Sequence, residues 1–371
     1  MKYIAEYRDG AKVRAMAKAI AAEVQPDRIY HLMEFCGGHT HSLHRYGLSQ
    51  LLPPNIRMIH GPSCPVCVLP MGCIDAAIRL AASTGVILCT YADMLRVPGS
   101  GGQSLMKARA QGSDVRMLYS PMDALRIAQE NPGRELVFFA IGFETTTPPT
   151  AMALKDAQRV GLKNFSVFCN HVLTPPAMRG ILAQPGVMVD GFVGPGHVSA
   201  VIGEQAYAFA PREYAKPVVI SGFEPVDLMA SIRMLIRQIN QGRAEVENEY
   251  TRVVSPQGNL RAQALMAEVF ELRPRFDWRG LGSIPESALR LSDGFAEWDA
   301  ERRFGIQVET VPDHKACECA DILRGLKQPA DCKAFATACS PENPLGACMV
   351  SSEGACAAYY AYGRHLEICE P

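Results

Sequence analysis

No stretch of this chain approaches the roughly 18 consecutive apolar residues that cross a bilayer. Its opening residues, MKYIAEYRDG, are charged and lack the apolar core of a signal peptide. Neither a membrane segment nor export is therefore expected, and the reading is a cytoplasmic protein. A charge imbalance is also missing: 37 Lys and Arg face 38 Asp and Glu. That near-neutrality removes the electrostatic argument for a nucleic-acid or acidic-membrane partner. Hydrophobic residues make up 48% and charged residues 20%, an ordinary globular composition. At 371 residues the chain exceeds one ordinary core, so two or three domains are expected.

Cysteine is what it has in excess. Thirteen cysteines in a reducing compartment point to metal or redox chemistry rather than to disulfides. Six lie at 36, 64, 67, 73, 89 and 169, and seven crowd into the last 55 residues, at 317, 319, 332, 339, 348, 356 and 369. That second group contains no CxxC knuckle of the kind structural zinc sites use. Long, unequal intervals suit an iron–sulfur cluster, whose thiolates arrive from separated loops. Zinc is the second reading, and some of these cysteines are expected to be small buried hydrophobes.

From residue 29 onward, short apolar runs alternate with helical stretches. The runs are 29–35, 56–61, 85–91, 115–120, 135–143, 165–171, 189–196 and 216–223, most of them rich in Val, Ile, Phe or Tyr. Strands alternating with helices predict βαβ units and parallel sheets. Strand ends at 36, 64, 89 and 120, and again at 142, 169, 194 and 221, recur every 25 to 31 residues within each set. The fold class expected is α/β, with two similar parallel-sheet βαβ domains around a cleft and a mostly helical, cysteine-rich unit. The boundaries read as 28–131 for the first domain, 132–228 for the second, and 1–27 with 229–371 for the third. Ligands of open α/β sheets bind beyond the carboxyl ends of the strands. The unusual residues gather there: CGGHTH (36–41), GPSCPVCVLP (61–70), CTYADMLRVPG (89–99), GFETT (142–146), CNH (169–171), GPGHVS (194–199) and GFEP (222–225).

Within CPVC, Cys64 and Cys67 sit between a strand and a helix, where the helix dipole favours the thiolate. Such a pair exchanges with disulfides or ligates a metal. In CGGHTH the glycines permit a sharp turn and close approach to a ligand. Cys36 supplies a soft thiolate, and His39 and His41 are candidates to ligate or to move protons. His44 is read as solvated or merely hydrogen-bonded. Asp93, Glu144 and Glu224 at strand ends are equally suited to acid–base work or to capping helices. Cys73, Cys89 and Cys169 read as packing residues.

Together CGGHTH, GPxCPVCxxP, DMxRVPG, GFETT, PGHVS, GFEP and SSEGAC resemble the HypD family of NiFe-hydrogenase maturation proteins, from about residue 28 to 362. The resemblance implies a scaffold on which iron acquires cyanide and carbon monoxide, the Fe(CN)2CO group. It implies a HypC-type small chaperone and a HypE-type cyanide donor as partners, and a third domain with a 4Fe-4S cluster. It makes Cys36 the thiolate that holds the iron, with a chaperone cysteine beside it, and His39 and Asp93 supporting groups. Cys64 and Cys67 become the redox thiol pair, and Cys319, Cys332, Cys339 and Cys356 the cluster ligands. Cys317, Cys348 and Cys369 fall outside that ligand pattern and read as bystanders. One departure is Tyr91-Ala92 before Asp93, where a glycine-containing turn is expected.

Three rival readings rest on the same residues. A thiol–disulfide oxidoreductase would use CPVC alone, and a metal-dependent hydrolase would use Cys36, His39 and His41. A non-catalytic binding module would keep the cluster as a purely structural element.

Overall fold

The computed structural model describes residues 4–363. All eight apolar runs form strands: β1 (Tyr30–Glu34), β2 (Ile56–His60), β3 (Val86–Thr90), β4 (Val115–Met117), β5 (Glu135–Gly142), β6 (Phe165–His171), β7 (Gly191–Pro195) and β8 (Val218–Ser221). A ninth short strand, β9 (Val246–Asn248), follows. They build two wholly parallel sheets, as expected, but not with the expected membership. The first sheet runs β2-β1-β7-β8-β9 and the second β4-β3-β5-β6. The first therefore takes two strands from before residue 131 and three from after it, the second two from each side, and the consecutive division at 131/132 does not describe the sheets. The chain crosses to the second sheet after β2 and returns after β6. Pairing of β1 with β7, Leu32 opposite Gly191, closes the first sheet over 159 residues of chain. Local pattern could not reveal this crossing, because strands buried on both faces read alike wherever they pair.

β5 shows how the sheets are held. Leu136, Phe138 and Ala140 enter one core, while Val137, Phe139 and Ile141 enter another that also contains Cys64, Cys67, Cys319, Cys339, Cys348 and Cys356. The CPVC segment and the cysteine-rich region thus share one hydrophobic core with the second sheet. Burying each such aromatic or aliphatic side chain contributes about 1.5–3 kcal/mol. Phe139 stacks on Phe168 at 5.3 Å, tying β5 to β6 across that face.

Beyond β8, helices Pro225–Asn240 and Leu260–Val269 follow the predicted periodicity. The rest of the third unit is less helical than expected. Two antiparallel strand pairs, Phe270–Leu272 with Leu289–Leu291 and Arg275–Trp278 with Gly282–Pro285, intervene. The cysteine-rich stretch is mostly turns around the short helices Cys319–Leu323 and Ala355–Tyr362. Among the described residues no helix is long and apolar enough to cross a membrane.

Candidate functional site

In each sheet the chain leaves two neighbouring central strands in opposite directions, which opens a crevice between their carboxyl ends. In the first sheet these strands are β1 and β7, carrying Cys36 and His197. In the second they are β3 and β5, carrying Asp93 and Glu144. Phe35 and Phe143, one from each crevice, share a core with the fully buried Tyr207. The two crevices therefore meet at this shared core.

Cys36 caps helix Gly37–Arg45 in extended backbone, and its carbonyl accepts the His39 N–H at 2.9 Å. Its own N–H donates to Glu34 Oε2 at 3.0 Å. Glu34 is wholly buried in β1 and also accepts from the Thr40 hydroxyl and from His60 Nδ1, the latter at 2.9 Å. Burial first, then the charge of Glu353, push the Cys36 thiol up. Gly37 is required by this packing. A Cβ there would stand 2.4 Å from Glu353 Cβ and 2.9 Å from the Glu353 carbonyl oxygen. The SSEGAC segment therefore lies directly on the cysteine turn. Glu353 in turn senses Asp93 and Glu34, which puts Asp93 at the edge of the same site.

The histidines divide into different roles. His39 is fully buried, with Nε2 on the Ser221 carbonyl at 3.3 Å and Nδ1 without a hydrogen-bond partner. Its ring leans on Phe223 at 4.7 Å, and Phe223 stacks on His197 at 3.7 Å. Burial lowers its pKa to about 4, so it is a neutral ring near pH 7. His41 packs edge-on against Tyr362 at 5.3 Å, so Cys36, His39 and His41 do not gather as a ligand set. His44 is hydrogen-bonded, as one of its expected readings had it; its Nε2 meets His60 Nε2 at 3.3 Å, which extends the Glu34 network. Among the described residues no three His, Cys, Asp or Glu side chains converge on a single metal position. A cavity of about 750 Å³ opens beside the turn, lined by Gly38, Ser42, His197, Phe223, Tyr250 and Arg252.

Cys64 caps the four-residue helix Pro65–Val68, and both CPVC sulfurs are buried, at 2% and 0% exposure. The expected dipole activation of Cys67 is overruled. Burial, followed by the neighbouring Cys348 and Cys64, pushes its thiol well up. Cys67 Sγ meets the Ala347 carbonyl at 4.0 Å, and Cys67, Cys348, Cys319 and Cys356 lie in one core. Cys317 adjoins too: a Cβ on Gly346 would meet the Cys317 and Cys319 sulfurs at 2.3 and 2.8 Å. Cys317 and Cys348 therefore do not stand apart from the ligand candidates, and Cys369 lies outside the described residues. Cys319, Cys332, Cys339 and Cys356 line one small cavity with Ile322, Ala334, Phe335, Leu345 and Met349. The Leu345 N–H already points at Cys339 Sγ, 3.4 Å away. None of the twelve described cysteines is in a disulfide. Cys73, Cys89 and Cys169 are packing residues, buried to 1% or less.

A family-level comparison matches residues 11–363 to HypD, described as the hydrogenase formation hypA family. The chain belongs to the HypD family. It is 64% identical to the hydrogenase maturation factor HypD of Azotobacter vinelandii, over 99% of this chain and 98% of that one. The HypD of Cupriavidus necator is 60% identical over 99% of both chains, and that of Escherichia coli K12 45% identical over 98% of both. The expected departure from the family at Tyr91-Ala92 has no backbone consequence: Tyr91 is extended, with φ −75°, and needs no glycine.

Two of the three strand-end carboxylates act at helix N-termini. Glu144 accepts from the Thr174 N–H at 2.8 Å and the Thr174 hydroxyl at 2.9 Å, at the start of helix Thr174–Leu182. Glu224 precedes helix Pro225–Asn240 and pairs with Arg8 at 2.5 Å. Burial raises the Glu144 pKa to about 7. A carboxyl raised in the folded state binds its proton more tightly than in the unfolded chain. Its contribution to stability is therefore complete below the unfolded value near 4.5 and is lost as pH rises through about 7. Glu144→Gln, which keeps an acceptor for the Thr174 N–H, is expected to remove this slope. Relative to wild type it should gain about 3 kcal/mol between pH 4.5 and pH 8, read from urea unfolding at both values.

Proposed function

We propose that this chain is the cytoplasmic scaffold on which the Fe(CN)2CO group of a NiFe-hydrogenase is assembled. Cys36 offers a sulfur at the crevice of the first sheet, and a HypC-type chaperone supplies a second thiolate. A HypE-type protein delivers cyanide to iron held there. Cys319, Cys332, Cys339 and Cys356 hold a 4Fe-4S cluster; four thiols, an apolar wall and a backbone N–H aimed at sulfur suit that group. When bound, the cluster supplies single electrons. Cys64 and Cys67, cycling between disulfide and dithiol, would collect two such electrons with two protons and pass them towards the iron.

The observation that carries this reading is the single core that holds both CPVC cysteines with Cys319, Cys339, Cys348 and Cys356, where Cys67 Sγ meets the Ala347 carbonyl at 4.0 Å. An oxidoreductase acting on external disulfides fits less well, since both CPVC sulfurs are buried away from any protein substrate. Anaerobic purification tests the cluster: a brown protein with about four irons per chain is expected, and a colourless zinc protein would contradict it. The relay has its own test. Cys64→Ser should keep the cluster absorption while hydrogenase maturation falls to background, and normal maturation would remove CPVC from the route.

A further inference from the structure

Arg279 sits in the turn between the paired strands Arg275–Trp278 and Gly282–Pro285, and its side chain is only 1% exposed. A guanidinium so deeply buried needs partners, since an unpaired charge there is costly. Its partners come from two different thiol-bearing segments. The backbone N–H donates to the Val68 carbonyl at 2.8 Å, and Nε donates to the Leu69 carbonyl at 3.1 Å. These are the two residues directly after Cys67. Helix Pro65–Val68 is too short to satisfy its own final carbonyls, so Arg279 serves as their cap. On its other side, Nη1 pairs with Asp313 Oδ1 at 2.9 Å, four residues before Cys317.

The next residue repeats the pattern. Gly280 has φ +79°, and a Cβ on it would stand 2.8 Å from Ala320 Cα, one residue beyond Cys319. The hairpin turn thus rests on the start of helix Cys319–Leu323 while it holds the end of CPVC. Neither Nη1 nor Nη2 makes a hydrogen bond of good geometry. The buried charge is therefore poorly repaid as a stabilising contact, and its geometry instead joins two segments.

We propose that Arg279 is a positioning residue that sets the CPVC thiols against the cysteine-rich segment, keeping Cys67 in reach of Cys348. This rests on the relay reading above; the disulfide ratio tests the geometry, and hydrogenase maturation in Cys64→Ser tests the relay.

Oxidation of the intact protein with diamide tests the proposal. Each disulfide forms from two thiols whose two electrons and two protons pass to the diazene. Peptide mass spectrometry then separates Cys64–Cys67 from Cys67–Cys348 products. In Arg279→Gln the ratio of Cys67–Cys348 to Cys64–Cys67 should fall about fivefold or more, as expected for loss of one or more hydrogen bonds that hold the geometry. Arg279→Lys keeps the charge on Asp313 but lacks the Nε donor to Leu69, and should fall between. A purely structural role would lower the melting temperature of Arg279→Gln and leave the ratio unchanged, which would overturn the proposal. If Arg279→Gln does not fold, Asp313→Asn carries the test. It should lower the same ratio, and an unchanged ratio would again overturn it.

Discussion

Cys36→Ser is expected to reduce hydrogenase maturation by at least about a hundredfold, more than the 10–100-fold that loss of an outer-shell partner costs a metal site. The thermal midpoint and the cluster iron should stay as in wild type. The reason is local. Cys36 is held by its backbone: its N–H on Glu34 and its carbonyl on His39 persist with a serine side chain. What disappears is the soft donor. A serine hydroxyl is a hard and scarcely ionised ligand, unsuited to an iron that also carries cyanide and carbon monoxide. The thiol itself is pushed up by burial and by Glu353, so ionisation must accompany arrival of the metal, whose charge inverts that cost. Maturation assays in a strain lacking the native protein, with iron analysis of the purified variant, measure both halves. Substantial maturation would place the iron elsewhere.

Gly37→Ala should give the second-largest effect, by a different route. The new methyl would meet Glu353 Cβ at 2.4 Å, with backbone close behind, so the SSEGAC segment or the cysteine turn must move. Overpacking of this kind costs about 1–3 kcal/mol. The functional loss should exceed what that destabilisation explains, because misplacing a reacting group by ~1 Å costs on the order of a hundredfold. Cluster absorption should remain, since the cluster cavity does not include Gly37. A variant with wild-type maturation and a lowered melting temperature would mean that Glu353 is needed against the turn for stability alone.

The strands were legible because each is a short apolar run closed by Gly, Pro, Asn or Ser. The loops that carry the site were legible because unusual residues sit at carboxyl ends. Which strand pairs with which was not, and the two regular halves suggested consecutive domains where the chain interleaves its sheets. Glu34 was missed although an acid inside a buried strand is itself a signal. Its partner His60 comes from β2 and meets His44 of the helix Gly37–Arg45 in turn, so only the fold reveals why the charge is tolerated. Cys348 was set aside because it breaks the ligand spacing, yet it lies in the core that CPVC shares with Cys319, Cys339 and Cys356. Spacing reports which residues suit one cluster. It does not report what packs against the cysteine-rich segment from 280 residues away, as Cys67 does against Ala347.

The central claim is that iron carrying cyanide and carbon monoxide resides on Cys36. Infrared spectroscopy of the chain purified anaerobically with its small chaperone tests it most directly. Cyanide and carbonyl stretching bands should appear in the wild-type complex and vanish in Cys36→Ser, with the cluster absorption equal in both. Bands that persist in Cys36→Ser would contradict the account.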